Sequence, residues 1–249
     1  MESNLLDLIA EVKSYLEDKY KDKFTINSIL SNDGDPDNPN MAYVYPESRM
    51  DEWFAVRIHY DENTGGRSFS DGCGFVLAEQ EMLPMYREWI AEVIPDGKVI
   101  ICIENETNVT RGDYSAGFDY EEFVEAESPY VMNITILAGS DLLADKTAFF
   151  EKISQSIAEK LDRKFFYRIH IAFTDENPGS LEVSKYKGAS SFAFKRGPDK
   201  FIAFTKTFII EEMSQSDIFK ELEDGFSDDM ELDPFDMDDD DDEDGEEDE

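Results

Sequence analysis

Cysteine and histidine are almost missing from this chain, with two of each in 249 residues. Cys73 and Cys102 can form one bridge at most, which excludes a disulfide-built secreted scaffold and suits a reducing compartment. They make no Cys-x-x-Cys pair, and a zinc site needs three or four ligands at close spacing, so no metal and no cofactor is expected. His59 and His170 each fall on the polar alternation of a strand beside an arginine, as solvent-facing residues do. Long apolar runs are missing too. Phe201-Ile202-Ala203-Phe204 and Phe208-Ile209-Ile210 are strand-sized, far short of the ~20 residues a membrane helix requires. Met1-Glu2-Ser3-Asn4 leads straight into an amphipathic segment, with no basic region followed by an apolar one, so no signal peptide is expected. The expectation is a soluble, cytoplasmic protein with no membrane contact. In that setting the Asn108-Val109-Thr110 and Asn133-Ile134-Thr135 sequons and the Arg111-Gly112-Asp113 tripeptide have no glycosylation or adhesion role.

Catalytic signatures are absent as well. There is no Gly-x-Ser-x-Gly elbow, no Walker loop and no Gly-x-Gly-x-x-Gly opening a helix, so the sequence does not point to an enzyme. Asp71-Gly72-Cys73-Gly74-Phe75 reads as a turn carrying a loop thiol, and Cys102 as a core thiol within an apolar strand. The segment Asn32 to Asn38 holds Asp33, Asp35 and Asp37 at alternate positions but lacks the glycine and the glutamate of a calcium loop, and it reads as a solvated turn.

Positive charge is short as well: 23 Lys and Arg stand against 59 Asp and Glu, a net charge of −36. The last 29 residues, Glu221 to Glu249, hold 19 of those carboxylates and no cation, leaving −17 on positions 1 to 220. Such a potential repels nucleic acid and speeds encounter with cations, so direct nucleic-acid binding is not expected and a basic protein partner is. Positions 160 to 206 depart from the trend, with ten basic residues against five acidic. Arg168, Lys185, Lys187, Lys195 and Arg196 mark this basic patch.

What remains is a folded body and an acidic arm. Leu5, Leu8, Ile9, Val12, Leu16 and Tyr20 recur at spacings of three and four and predict a helix over 4–20. A second helix is predicted over 84–94, opened by Pro84, and a third over 141–163, with a short one inside 113–130. Strands are predicted at 24–30, 41–45, 53–60, 98–104, 131–137, 165–173, 181–185, 191–196 and 201–210. Runs of strands between helices favour an α+β class, about three helices packed on mainly antiparallel sheets. A helix followed by a meander recurs at both ends of the body, as two half-domains meeting near Gly139 would give. The shared Arg-Ile-His at 57–59 and 168–170 is out of register, which weighs against a duplication.

The body is assigned to positions 1–220 and a disordered tail to 221–249. In the tail, Phe226, Met230 and Phe235 interrupt the acids as anchors, ahead of the run Asp238, Asp239, Asp240, Asp241 and Asp242. On the body, Asp33, Asp35, Asp37, Asp51, Glu52, Asp61 and Glu62 crowd the loops. Carboxylates steering toward a basic surface and apolar anchors docking on it make one mechanism. In charge and general character the chain is similar to the acidic immunity proteins and antitoxins that neutralise basic nucleases, and its tail to those of acidic histone chaperones. One alternative is an intramolecular role, with the tail shielding an anion-binding patch at 160–206; another is an enzyme without a recognisable motif, with Cys73 or a carboxylate pair as its catalytic group.

Overall fold

A computed structural model describes residues 2–31, 39–49, 52–61, 63–115, 117–128, 130–161, 166–182, 201–206 and 214–227. Among these the class is α+β. Helices α1 (Glu2–Tyr20), α2 (Cys73–Val93), α3 (Tyr120–Glu127), α4 (Lys146–Lys160) and α5 (Gln215–Asp224) pack on two sheets. Strands β1 (Phe24–Leu30), β2 (Met41–Pro46), β3 (Phe54–Tyr60) and β4 (Arg67–Asp71) form the first, in chain order and wholly antiparallel. Strands β5 (Lys98–Glu104), β6 (Val131–Gly139), β7 (Phe166–Thr174), β8 (Phe201–Lys206) and β9 (Phe226–Ser227) form the second. Its pairs are antiparallel except β6 with β7, which run parallel with α4 between them in the chain, as a parallel pair requires.

The helical stripe of α1 behaves as its spacing dictates. Leu8, Val12 and Leu16 are buried against Ala42, Val44, Phe54, Val56 and Ile58 of the first sheet. Strand β4 was not anticipated: Arg-Ser-Phe-Ser-Asp has low strand propensity and one apolar residue. The β3–β4 hairpin sets it instead. Asp61 closes the turn, its side chain accepting from the Asn63 N–H at 2.9 Å and the Thr64 hydroxyl at 2.8 Å, while Gly65 takes φ +67°.

Helix α2 begins at Cys73, eleven residues before the predicted start, and runs through Pro84. Proline usually ends or opens a helix, but here apolar burial on both sides of Pro84 sustains it. Cys73 and Val76 face the first core, and Met82, Tyr86, Trp89, Ile90 and Val93 face the second. The helix thus joins the two sheets. Gly139, where the sequence pattern put a joint, is the last residue of β6, inside the second sheet.

Described helix and strand also lie past position 220. Helix α5 carries a capping box, with Ser214 and Asp217 bonding each other's backbone N–H, and buries Ile218 and Leu222. Beyond it, β9 pairs with β8, and the ring of Phe226 packs edge-on against Phe150 at 5.7 Å and Phe173 at 6.1 Å. The predicted strand 191–196 and most of 181–185 lie outside the described residues; Leu181 follows a 3-10 turn, Pro178–Ser180, and is buried with Ile100, Leu137, Ala172 and Phe201.

Candidate functional site

Two buried carboxylates lock the region where the sheets meet. Asp71, at the end of β4, has a side chain with no exposed surface. Its Oδ2 accepts from the Tyr15 hydroxyl at 2.7 Å and Lys19 Nζ at 2.9 Å; its Oδ1 accepts from the Tyr20 hydroxyl at 2.7 Å and the Cys73 N–H at 3.0 Å. Four donors on one carboxylate tie α1, β4 and the start of α2 together. The ionisation of the surrounding groups shifts accordingly. Burial, then the bond to Asp71, pushes the Tyr15 phenol up to about 12. Burial and the Asp71 charge raise Tyr20 further. Burial alone would lower Lys19, but the hydrogen bond and charge of Asp71 outweigh it and raise it.

The same surroundings settle Cys73. The residue is buried at the start of a helix and not in a mobile turn, and burial with the Asp71 charge pushes its thiol up to about 12. A thiol raised in this way keeps its proton at neutral pH, unlike the depressed thiols of reactive cysteines. Cys102, expected in the core, is half-buried. His170 is likewise displaced from its expected place: it is 7% exposed, because the second sheet is covered on that face as well, whereas His59 is exposed and bonds the Ser70 hydroxyl at 2.9 Å.

Glu127 of α3 is the second lock. Its carboxylate accepts from the backbone N–H of Arg111 and Gly112 and from the Tyr114 hydroxyl, all within 3.0 Å. The Arg-Gly-Asp tripeptide is therefore gripped by its own chain. The gripped segment lies on the start of α2 so closely that glycine is required there. A Cβ on Gly72 would meet the Asn108 carbonyl at 2.6 Å, and one on Gly74 would meet the Tyr114 ring at 2.4 Å.

Beside this joint, the start of β3, the turn into α2 and the end of β5 enclose a cleft of about 170 Å³. Tyr43, Trp53, Phe54 and Phe75 supply an aromatic wall, and Glu79 and Glu104 supply carboxylates. Trp53 stands edge-to-face on Tyr43 at 5.5 Å and 74° and is 43% exposed. Glu79, only 7% exposed, reaches from α2 to accept the Ile103 N–H at 2.8 Å, capping the outer edge of β5. Glu104 pairs with Arg168 at 3.1 Å, and Arg168 also donates to Asn133 Oδ1 at 3.0 Å.

Of the residues the sequence nominated for partner contact, Glu52 bonds Arg49 at 2.8 Å and Gln80 at 2.5 Å, next to Trp53 at the cleft rim. Asp61 serves its turn. Phe226, expected as a free anchor, is held in the second core, with Lys146 Nζ 4.3 Å from its ring centroid, because β9 pairs it into the sheet. Arg168 of the basic patch is engaged by Glu104. Asp33, Asp35, Asp37, Asp51, Glu62, Met230, Phe235 and Asp238 to Asp242, with Lys185, Lys187, Lys195 and Arg196, lie outside the described residues. The cleft itself escaped the sequence analysis, since its walls come from positions 43 to 108 and no local pattern unites them; an aromatic pair beside the β3 start was the only visible sign. Among the described residues, no three His, Cys, Asp or Glu are grouped as metal ligands, and no helix is long and apolar enough to cross a membrane.

The fold and its joint define an α+β protein of two helix-backed sheets sharing one helix. A solved structure of similar fold is that of a DUF5037 family protein from Ruminococcus gnavus: 13% identity, TM-score 0.53, with 88% of this chain and 99% of that chain covered. That likeness concerns the fold alone. No protein-family model matches the chain, and no curated protein matches it.

Proposed function

We propose that this chain is an acidic interaction protein that binds and masks a basic protein partner in the cytoplasm, of the nuclease or nucleic-acid-binding kind. One observation carries the reading: nine of the described cations are engaged within the chain, while carboxylates on the outer faces of α1 and α3 stand exposed without an ion pair. Lys19, Arg49, Arg67, Lys160 and Arg168 sit in ion pairs, Lys98 and Lys152 hold backbone carbonyls, Arg111 holds the Ser128 carbonyl, and Lys146 lies over Phe226. By contrast, Glu121, Glu122 and Glu125 of α3 and Asp7, Glu17 and Asp18 of α1 include no ion-paired member among the described residues. Internal pairing leaves the surplus negative field pointing outward, where it steers a cationic partner.

The test is kinetic. A basic protein retained from native extract at about 0.1 M salt is purified and its association rate measured against salt and against a chain ending at Ser227. Charge steering requires the rate to fall steeply with ionic strength. A rate that is flat from low to high salt overturns the reading.

A further inference from the structure

We propose that the cleft at the sheet junction is a socket for one arginine or lysine side chain of the basic partner; the inference rests on the reading above and gives it a location. Size is the first argument. The cleft measures about 170 Å³, and an engineered cavity of about 150 Å³ accepts benzene. Clefts for drug-sized molecules span roughly 300–1,000 Å³. This one fits a single side chain.

Chemistry is the second. Trp53 is held edge-to-face on Tyr43 and kept 43% exposed, so an indole is presented at the cleft mouth instead of being folded away. The lining contains Glu79 and Glu104 and no cation. A π-system attracts a cation and a carboxylate gives it charge-assisted hydrogen bonds, so the two together select a guanidinium or ammonium. An anion would meet the part-exposed Glu104 carboxylate, and an apolar group would strip water from it without replacing it. Arginine suits the site better than lysine, because its flat fork stacks on a ring and bonds a carboxylate at once.

Preorganisation is the third. Glu79 is held through Oε1 by the Ile103 N–H at 2.8 Å. Glu104 is oriented by Arg168 through Oε1, and an ionised carboxylate has about four acceptor positions, so an incoming cation shares Glu104 without displacing Arg168.

The full chain is titrated by calorimetry with octa-arginine, with octa-citrulline as its neutral isostere, and with a single capped arginine. The indole N–H resonances are followed by NMR. The chain has two tryptophans, and Trp89 is an internal control, buried and donating to the Ser156 hydroxyl at 2.7 Å. Octa-arginine and capped arginine should shift the Trp53 indole signal and leave that of Trp89 in place, and citrulline should do neither. Trp53→Ala and Glu104→Gln should each weaken octa-arginine about tenfold, the scale of one such contact. Glu125→Gln, an exposed carboxylate outside the cleft, should leave it within about twofold. If octa-arginine binds with Trp53 unmoved and Trp53→Ala neutral, the socket is wrong and the acidic-binder reading survives. If neither octa-arginine nor any basic protein binds, the reading fails and the socket with it.

Discussion

At the scale of single residues, Asp71 gathers four donors from α1 and the start of α2 on one carboxylate. Replacing it with alanine leaves the Lys19 ammonium, two phenols and the Cys73 N–H without their common acceptor. Removing one partner of a buried pair costs about 3–5 kcal/mol, and the partial exposure of Lys19 puts Asp71→Ala near about 3 kcal/mol, to be read from urea denaturation. The same cluster dictates a pH response. Tyr15 and Cys73 are raised to about 12, and Tyr20 and Lys19 are also raised. Each group thus holds its proton more tightly folded than unfolded. Their contribution is complete below the unfolded values, about 8.5 for the thiol and about 10 for the phenols. It is lost as pH climbs through the folded values. Thermal unfolding should therefore drop steeply between about pH 9 and 12, with phenolate absorbance appearing at the unfolding transition and not before it. A melting temperature flat across that window would show that the donors are not held as described. Thiol labelling gives a companion test: Cys102 should react in the native protein and Cys73 only on unfolding.

Among the elements, α1, β1, β2, β3, β5 and β6 were legible because each is a long periodic run whose buried face is written in one stretch of sequence. Where two local rules competed, the sequence misled. Pro84 looked like a helix start, yet Val76 and Met82 upstream and Tyr86 and Trp89 downstream find buried partners, and the helix runs through it. Asp and Glu enrichment hid α5, although Ser214 and Asp217 in capping-box spacing ahead of Ile218 and Leu222 were a usable start signal. Ser214→Ala should cost about 1 kcal/mol. Phe226 separates the two accounts of this segment. As a half-buried ring against Phe150 and Phe173 it should cost about 2 kcal/mol on truncation to alanine, below the value for a fully buried phenylalanine. A free anchor would cost nothing in a thermal melt.

For the whole molecule, charge was legible from composition and its arrangement was not. The count of −36 says nothing of which cations are tied up inside, and the cleft at the sheet junction depends on residues more than 60 positions apart meeting across α2. The order of the strands has one more consequence, in time. The first sheet is built from neighbours in sequence, each strand meeting the one just before it. The second waits: its one parallel pair must bridge the whole of α4, and β9 comes last. Local pairings close early and distant ones late. Strands β1 to β4 should acquire exchange protection on refolding before β7 and β8, and on the ribosome β8 lacks its β9 partner until Ser227 has emerged.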